Sequence, residues 1–236
     1  MRYWLVMPAA GAGRRFGSAK QYARLGERTV LELSLQPFLD DPQCAGGSLV
    51  LCADDPQRER LQRVLPATMQ LVDGGQERAH SVRNGLQALA SRASEQDWVL
   101  VHDAARPMVS AADLAALLQQ GAGDAVGALL AVPVADTVKR ARGAQTALPS
   151  GAVRCETTLP REGLWLAQTP QMFRFAPLRH ALEQALSGGR RPTDEAQAME
   201  WQGHAALLVP SRDPNLKVTT RADLVLAEAI LQQRAT

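Results

Sequence analysis

Short apolar runs alternate with amphipathic stretches along most of this chain, and this alternation is what most restricts its fold. Apolar runs bounded by turn residues occupy residues 48–53, 69–72, 98–101 and 125–132, which predicts strands. Between them, the apolar spacing predicts helices over residues 31–39, 57–65, 81–89 and 111–118. Continuous apolar strands separated by helices are typical of a mostly parallel sheet that is covered on both faces. The sequence therefore predicts a doubly wound α/β fold.

The first apolar run, residues 3–7, leads directly into a glycine-rich loop with the sequence PAAGAGRRFGSAKQY. The loop carries Arg14, Arg15 and Lys20, and backbone amides surrounded by cations are the groups expected around a polyphosphate. Its spacing matches neither the dinucleotide fingerprint, in which Phe16 occupies the place of the third glycine, nor a Walker A loop. On this loop alone, a nucleotide site and a turn with solvated basic residues are equally compatible.

Polar groups just beyond the strands are candidate site residues, because ligands of doubly wound sheets bind at the carboxyl ends of the strands. The strand predicted at residues 69–72 is followed by the sequence DGGQERAHS. Gly74 and Gly75 would let the backbone approach a base or a sugar closely. Ser81 can hydrogen-bond a ligand or cap the next helix, and the sequence does not decide between these two roles.

The strand predicted at residues 98–101 is followed by His102 and Asp103. A carboxylate directly beyond a buried strand suits Mg²⁺, which prefers one or two carboxylates together with phosphate oxygens of a substrate. We therefore interpret Asp103 as a metal ligand, with a structural aspartate that caps the next turn as the alternative. We interpret His102 as a structural histidine whose ring nitrogens are hydrogen-bonded.

A further polar segment, DPNLKVT, lies late in the chain, just before the predicted final helix. It places Lys217 among apolar neighbours, and a partly desolvated ammonium group can bind phosphate with little competition from water. A lysine whose stem covers apolar surface while its charge stays in water is an equally compatible interpretation.

The composition excludes several classes of function. The formal net charge is only +2 and there is no lysine- or arginine-rich run, which argues against general nucleic-acid binding. The first apolar run is short and Pro8 follows it at once, so it predicts neither a signal peptide nor a membrane span. Cys44, Cys52 and Cys155 have no metal-ligand spacing with the histidines and indicate reduced thiols in the cytoplasm.

Residues 136–161 interrupt the regular order, because they are rich in Gly, Pro, Thr and Arg and have neither a helical period nor a sustained apolar run. A stretch of this length is typical of a functional loop, or of a β-arm that embraces a partner subunit. Beyond it, the pattern predicts helices over residues 176–186 and from residue 193, a strand over 205–209 and a helix over 221–233. We expect one domain, residues 1–236, without a second one.

Several ordered blocks of this sequence resemble those of the 2-C-methyl-D-erythritol 4-phosphate cytidylyltransferase family, and together they run through nearly the whole chain. The blocks are PAAGAGRRFG at residues 8–17 with Lys20-Gln21-Tyr22, the DGGxxRxxSV pattern at 73–82, VHDAARP at 101–107, PVADTVK at 133–139, Arg161, QTPQMF at 168–173, TDEA at 193–196 and NLKVT at 215–219. One position departs from the family pattern: Ala19 stands where the family usually has proline, and this change removes no functional group.

The resemblance implies both a fold and a reaction. The fold is a Rossmann-like, doubly wound, mostly parallel sheet of the nucleotidyltransferase type with a projecting β-arm. The reaction transfers a cytidylyl group from CTP to 2-C-methyl-D-erythritol 4-phosphate, with Mg²⁺ as cofactor and diphosphate as leaving group, on the non-mevalonate route to isoprenoid precursors. An oxygen of the acceptor phosphate attacks the α-phosphorus in line, so the protein has to position the substrates and stabilise charge.

The same resemblance implies roles for individual residues. Arg15 and Lys20 would stabilise the pentacoordinate phosphorus, and Lys217 would help to hold the two substrates together. Asp103 would bind the metal ion. The contacts to cytidine and triphosphate would come from Ala10, Gly11, Gly13, Gly75 and Ser81.

In this family, the arm of the other subunit helps to hold the acceptor phosphate. The resemblance therefore implies a homodimer in which Thr137 and Arg161 act across the interface. Arg106 is a further candidate on the acceptor side, and an arginine that fixes its own loop is the alternative interpretation.

Two other functions remain compatible with these residues. A cytidylyltransferase for another polyol phosphate, such as ribitol 5-phosphate, would share the nucleotide half of the site and differ on the acceptor side. A non-catalytic nucleotide-binding module is the second alternative. The presence of Arg15, Lys20, Asp103 and Lys217 together argues against it, because a binding module does not need cations that act in a transition state.

Overall fold

The structure is a computed structural model that describes residues 1–11, 16–17, 19–142 and 151–234. Its strands are β1 (Tyr3–Pro8), β2 (Arg24–Leu25), β3 (Arg28–Thr29), β4 (Cys44–Leu51), β5 (Met69–Asp73), β6 (Trp98–Val101), β7 (Gly127–Pro133), β8 (Val138–Ala141), β9 (Cys155–Leu159), β10 (Trp165–Arg174) and β11 (Leu207–Pro210). Its helices are α1 (Val30–Leu39), α2 (Arg58–Val64), α3 (Arg78–Leu89), α4 (Ala111–Ala122), α5 (Phe175–Ser187), α6 (Glu195–Glu200) and α7 (Arg221–Arg234), and a short 3₁₀ turn covers Lys20–Tyr22.

Seven strands form one sheet in the order β11-β7-β10-β6-β1-β4-β5. Strand β1 pairs in parallel with β4 and β6, β4 pairs in parallel with β5, and β7 pairs in parallel with β11. Only β10 runs antiparallel to its neighbours, β6 and β7. This confirms the predicted doubly wound, mostly parallel α/β fold.

Hydrophobic side chains cover both faces of the sheet, because successive residues of a strand point to opposite sides. Leu5 and Met7 of β1 pack on one side, together with apolar residues of α1 and α4. Trp4 and Val6 pack on the other side, with apolar residues of α3, α5 and α6. Both faces are therefore used for packing, and the strand ends are the part of the sheet that remains for binding a ligand.

Side-chain caps help to fix where helices begin. At α1, Thr29 and Glu32 form a capping box in which the Glu32 N–H donates to Thr29 Oγ1 and the Thr29 N–H donates to the Glu32 carboxylate. At α7, the Asp223 N–H donates to Thr220 Oγ1 at 3.3 Å and the Thr220 N–H donates to Asp223 Oδ2 at 2.8 Å. Each reciprocal pair satisfies N–H groups that have no partner inside the helix.

Helix α3 begins earlier than its apolar spacing predicts. The prediction starts at Ser81, whereas the helix starts at Arg78 with Glu77 as its N-cap. Ser81 therefore lies inside the helix, and its interpretation as a helix cap is wrong. The apolar spacing does not predict the first turn of α3, because this turn is largely polar and faces the strand ends.

Strand β10 is a central strand that the sequence pattern does not predict. It lies between β6 and β7, and Gln171 pairs with Val101 of β6. Its sequence contains Pro170, which has no N–H to donate, and this argues against a strand in the middle of a sheet. The register of the ladder with β7 shifts between Ala167 and Gln171, so the proline lies where the regular pairing is interrupted.

The irregular stretch at residues 136–161 contains an antiparallel pair, β8 and β9, which forms a sheet of its own. Nearly every residue of this pair is exposed. At its base, the Val134 N–H donates to the Leu164 carbonyl at 3.0 Å. Residues 143–150 lie outside the described residues. The pair has the form of the predicted β-arm, and its contact with a partner subunit stays a prediction.

Candidate active site

The loops that follow β1, β5 and β6 enclose a pocket at the carboxyl edge of the sheet, together with the segment before α7. Its volume is about 570 Å³, which lies within the range of roughly 300–1,000 Å³ that is typical of ligand sites. The predicted site residues that line this pocket are Ala10, Gly11, Lys20, Gly75, Ser81, Asp103 and Lys217.

Lys20 reaches the pocket from the 3₁₀ turn that follows the glycine-rich loop. The next residue, Gln21, is buried, and its Nε2 donates to the Ala9 carbonyl at 2.9 Å. This bond fastens the turn to the end of β1, beside Ala10 and Gly11. A cation next to closely spaced backbone groups suits an anionic ligand.

The glycine turn after β5 forms another part of the pocket wall. A Cβ on Gly74 would lie 2.5 Å from the Cβ of Ala10, which is closer than two side-chain carbons approach. Ser81 Oγ accepts from the Gly75 N–H at 3.1 Å and donates to the Glu77 carbonyl at 3.2 Å. The hydroxyl group of Ser81 therefore holds the glycine turn against the first turn of α3.

Asp103, directly after β6, is buried at the centre of a group of charges. Its Oδ1 accepts from Arg78 Nε at 2.9 Å and its Oδ2 accepts from Lys217 Nζ at 2.7 Å. Arg106 Nε lies 3.8 Å from the same Oδ2. Burial alone would raise the pKa of Asp103, but these cations outweigh it and hold the pKa well below its ordinary value. Asp103 is therefore an ionised carboxylate at neutral pH.

Lys217 is presented to the pocket by a segment that bonds to the loop after β6. The Val218 N–H donates to the Ala105 carbonyl at 2.8 Å, and Arg106 Nη1 donates to the Asn215 carbonyl at 2.7 Å. The Lys217 side chain is 40% exposed, so its ammonium group remains accessible from the pocket.

His102 is fully buried and holds the backbone of the same loop. Its Nε2–H donates to the Arg106 carbonyl at 3.0 Å, and its Nδ1 accepts from Thr169 Oγ1 at 3.1 Å. Thr169 Oγ1 in turn accepts from the Asp103 N–H at 3.0 Å. Burial lowers the pKa of His102 to about 4, so the ring is neutral near pH 7 and this tautomer is fixed. The interpretation of His102 as a structural histidine is confirmed.

Comparison with known proteins identifies the family of this chain. The family model for 2-C-methyl-D-erythritol 4-phosphate cytidylyltransferase matches residues 3–233. The chain belongs to this family. Proteins with that same name from Ectopseudomonas mendocina and Halorhodospira halophila are 46% and 47% identical to it over 226 and 241 residues, covering 94% and 99% of this chain and 93% and 96% of theirs. The crystal structure of the protein with this name from Francisella tularensis has a TM-score of 0.81 at 31% identity, covering 98% of this chain and 100% of that chain.

Two charged residues of this cytidylyltransferase family member extend the group of charges at Asp103, although the sequence patterns assign neither of them a role: Arg78 contacts Asp103, and Glu195 contacts Arg78. Arg78 donates from Nη1 and Nη2 to the two carboxylate oxygens of Glu195, at 2.6 and 2.9 Å. Both residues stand in blocks shared with the family, DGGxxRxxSV and TDEA. Those blocks are the sequence signal that points to both residues, but the two are 117 positions apart, and spacing alone cannot predict that they meet.

Some predicted site residues of this family member lie outside the pocket. Arg106 lies beside it and is nearly buried, and it bonds to the backbone of the segment that carries Lys217, whereas the alternative interpretation expects a bond to its own loop. Its role toward the acceptor stays a prediction. Thr137 and Arg161 are exposed on the arm segment, where Arg161 donates to a backbone carbonyl near the base of the arm. Gly13 and Arg15 lie outside the described residues.

Asp103 is the predicted metal ligand of this family member. Within the described parts of the chain, no group of three or more His, Cys, Asp or Glu side chains could hold a metal ion. Magnesium sites in nucleotide enzymes need only one or two carboxylates, because phosphate oxygens supply further ligands. Each oxygen of Asp103 accepts one close hydrogen bond and keeps another lone pair. The residues therefore fit a magnesium ion that substrate phosphates hold for the most part.

Proposed function

We propose that this protein transfers the cytidylyl group of CTP to 2-C-methyl-D-erythritol 4-phosphate, giving 4-diphosphocytidyl-2-C-methyl-D-erythritol and diphosphate. The observation that carries the proposal is the match of the family model to residues 3–233. The relatives that align with nearly the whole chain bear the name of this activity. The reaction belongs to the non-mevalonate route to isoprenoid precursors.

The reaction requires an in-line attack at the α-phosphorus of CTP. An oxygen of the acceptor phosphate bonds to that phosphorus while the bond to the diphosphate leaving group breaks, so the protein must stabilise charge on the phosphoryl oxygens. Lys20 and Lys217 both line the pocket, which supports a role for their ammonium groups. We infer that Lys20, together with Arg15, stabilises the pentacoordinate phosphorus. Lys217 helps to hold the two substrates together.

We infer that the nucleotide is bound mainly by backbone groups. The ends of the glycine-rich loop at Ala10 and Gly11 line the pocket, as does Gly75. The first turn of α3 lines it as well, and the free N–H groups at a helix N-terminus favour an anion. In this arrangement Ser81 keeps the glycine turn in place for the cytidine, and Gly13 belongs to the same loop as Gly11.

We propose Mg²⁺ as the cofactor, with Asp103 and phosphate oxygens of CTP as its ligands. When bound, the ion neutralises charge on the phosphates and on the leaving diphosphate. Asp103 is suited to this role because the cations around it outweigh the effect of burial on its pKa and keep it ionised.

We further propose a homodimer in which each site uses both chains. Thr137 and Arg161 are exposed and do not line the pocket of their own chain, which supports a role toward the acceptor phosphate in the partner's site. A groove that includes Lys217 is lined by Leu166 and Leu226, which are 58% and 53% exposed. Apolar side chains exposed beside a site are typical of a surface that a partner covers.

No described helix combines the length and the apolar character that crossing a membrane requires. The cytoplasmic location inferred from the sequence stays a prediction.

The proposed function is tested by diphosphate release from each of the four nucleoside triphosphates, with Mg²⁺ and either methylerythritol 4-phosphate or ribitol 5-phosphate. We expect release only with CTP and methylerythritol 4-phosphate. A Lys217→Met variant should lose this activity, while Arg63→Met, an exposed residue of α2, should keep it. Preference for ribitol 5-phosphate would overturn the acceptor assignment. No release with any pair would favour a non-catalytic nucleotide-binding module.

A further inference from the structure

We propose that Glu195 is a positioning residue for this reaction. It holds Arg78 so that the arginine gives Asp103 one hydrogen bond and leaves the other carboxylate oxygen to Lys217. Glu195 does not line the pocket and is 0% exposed, so it acts through Arg78. The inference rests on the proposed function, because it concerns the same pocket.

The orientation of Arg78 is what connects the two carboxylates. Both terminal nitrogens of its guanidinium group donate to Glu195, at 2.6 and 2.9 Å, as a two-pronged pair. Only Nε is directed at Asp103, whose Oδ1 accepts from it at 2.9 Å. A guanidinium group bound side-on in this way occupies one oxygen of Asp103.

The other oxygen of Asp103 matters because Lys217 Nζ donates to it at 2.7 Å. The favoured geometry between arginine and a carboxylate is two parallel hydrogen bonds. Without the charge of Glu195, Arg78 is free to turn its terminal nitrogens onto Asp103 and to bind both oxygens. Lys217 would then lose its partner and its place in the pocket.

The charge of the cluster leads to the same conclusion. Arg78, Arg106 and Lys217 surround Asp103 at 2.9, 3.8 and 2.7 Å, and Glu195 is the second carboxylate in contact with Arg78. Removal of the Glu195 charge leaves three cations around one buried carboxylate. An uncompensated charge of this kind is costly in a buried place, and the side chains rearrange to reduce the cost.

The position of Glu195 is itself set by the central sheet. Gln171 of β10 accepts from the Ala196 N–H through Oε1 at 2.9 Å and donates from Nε2 to Asp194 Oδ2 at 3.0 Å. One buried side chain therefore bonds to the residues on both sides of Glu195. The antiparallel strand β10 thus fixes the start of α6, and Glu195 transmits this position to the pocket.

Two substitutions separate the charge of Glu195 from its shape. Glu195→Gln keeps the shape and removes the charge, whereas Glu195→Asp keeps the charge and is one methylene shorter. Asp97→Asn is the matched control, because the Asp97 carboxylate accepts from Trp4 Nε1 and from the Ser94 N–H, both at 2.9 Å, just before β6 and far from its carboxyl end. For each variant we would measure kcat, both KM values and the melting temperature.

We expect Glu195→Gln to lower kcat by about 10- to 100-fold. This is the usual range for a residue that does not touch the ligand itself but hydrogen-bonds to a residue that does and so orients it. The KM for CTP should change by less than about threefold, because the nucleotide contacts remain. Glu195→Asp should keep more activity than Glu195→Gln, and Asp97→Asn should keep the full kcat. A kcat that follows the melting temperature across all three variants would mean that Glu195 is merely structural, and a normal kcat in Glu195→Gln would overturn the proposal.

A double-mutant cycle tests whether Glu195 acts through Arg78. Lysine cannot form the two-pronged bond, so in an Arg78→Lys background Glu195→Gln should reduce kcat little further. A full additional loss would contradict the inference.

A crystal structure of Glu195→Gln gives a readout that does not depend on turnover. We expect Arg78 to turn its terminal nitrogens onto both oxygens of Asp103, and an unmoved Arg78 would overturn the inference. If the wild-type protein released no diphosphate, the proposed function would fail. The crystal structure of Glu195→Gln would still show whether Glu195 sets the orientation of Arg78. If Glu195→Gln does not fold, Arg78→Lys decides instead, because lysine cannot form the two-pronged bond with Glu195, and a normal kcat in Arg78→Lys would overturn the proposal.

Discussion

Asp103 receives hydrogen bonds from cations that stand 25 and 114 positions away in the chain, Arg78 on α3 and Lys217 before α7. Each of these cations also has another task, because Arg78 binds Glu195 and Lys217 lines the pocket. Residues that share partners in this way give non-additive effects when they are substituted. Single substitutions in this group therefore report on the group as a whole.

At Lys20, we expect substitution by alanine to affect turnover more than nucleotide binding. The proposed role places most of its interaction in the transition state, so kcat should fall by about 100-fold or more while the Kd for CTP rises only several-fold. Steady-state kinetics and calorimetric titration with CTP check this. Arg63→Ala, which removes an exposed cation on α2, is the control. Turnover equal to that of the wild type would remove Lys20 from the catalytic role.

At Gly74, any added side chain meets the end of β1. A Cβ there would lie 2.5 Å from the Cβ of Ala10 and 3.2 Å from Ser81 Oγ. We expect Gly74→Ala to lower the free energy of unfolding by about 1–3 kcal/mol and to weaken CTP binding, because the pocket wall has to shift. Gly123→Ala is the matched control, since the nearest atom to its Cβ would lie 3.6 Å away. Equal denaturant midpoints for the two variants would contradict this account.

Several residues of the candidate site can be found from the sequence because they follow predicted strands. Gly75 comes after β5 and Asp103 after β6, and both line the pocket as a doubly wound sheet leads one to expect. The pairing of Arg78 with Glu195 could not be found in this way. Neither residue breaks a local pattern, and their contact depends on tertiary packing, in which α5 contacts both α3 and α6.

At the scale of elements, β10 is a strand of the central sheet that the sequence pattern fails to predict. The inner parallel strands β1, β4 and β6 are buried on both faces and appear as apolar runs, and the packing faces of the helices appear as apolar periods. β10 contains Pro170 and the polar side chains of Gln168 and Gln171, so it has neither signature. Gln171 is nevertheless buried, because it bonds to the start of α6 and not to water. Tertiary contacts, not local preference, make this segment a strand.

The arm formed by β8 and β9 leads to a prediction about subunits. If Arg161 acts in the partner's site, co-expressed Arg161→Ala and Lys20→Ala chains should regain activity, because each mixed dimer has one site with both residues intact. Random pairing would restore about a quarter of the wild-type kcat per chain. Purification through two different tags keeps only the mixed dimers, each with one intact site out of two, so their diphosphate release should reach about half of the wild-type kcat per chain.

A second pair of variants is the control for the activity that the mixed dimers regain. Lys20→Ala and Asp103→Asn both alter the pocket of their own chain, so their mixed dimers have no intact site and should stay inactive. Equal activity in the two mixtures would show that Arg161 does not act across the interface.

At the scale of the whole molecule, both tyrosines of the chain report on the folded core. Burial is the main reason why the pKa values of Tyr3 and Tyr22 lie above the ordinary value, and the Tyr3 hydroxyl also donates to Asp41 Oδ2 at 3.0 Å. A pKa that is raised by folding stabilises the protein below the unfolded pKa of about 10, and this contribution is lost as the pH rises above that value.

We therefore expect tyrosinate to form only when the protein unfolds at alkaline pH. The near-ultraviolet absorbance of tyrosinate and the far-ultraviolet circular dichroism should change together in a pH titration. Tyr3→Phe should lower the amplitude of this single absorbance change to about half, because one of the two tyrosines is removed. Ionisation of both tyrosines near pH 10 with unchanged circular dichroism would contradict the burial of these side chains.

The reversed direction of β10 also determines where the arm is attached. The chain leaves the sheet after β7 and returns into β10, and the Val134 N–H joins the Leu164 carbonyl at this base. Because β7 and β10 run in opposite directions, both ends of the arm lie at the edge where the nucleotide pocket opens. The arm is thus one continuous segment of the chain, and its two ends are held where β7 ends and where β10 begins. If the arm acts in the partner's site, as proposed, exchange of this segment between related genes would change the residues offered to the acceptor phosphate and leave the nucleotide-binding residues the same.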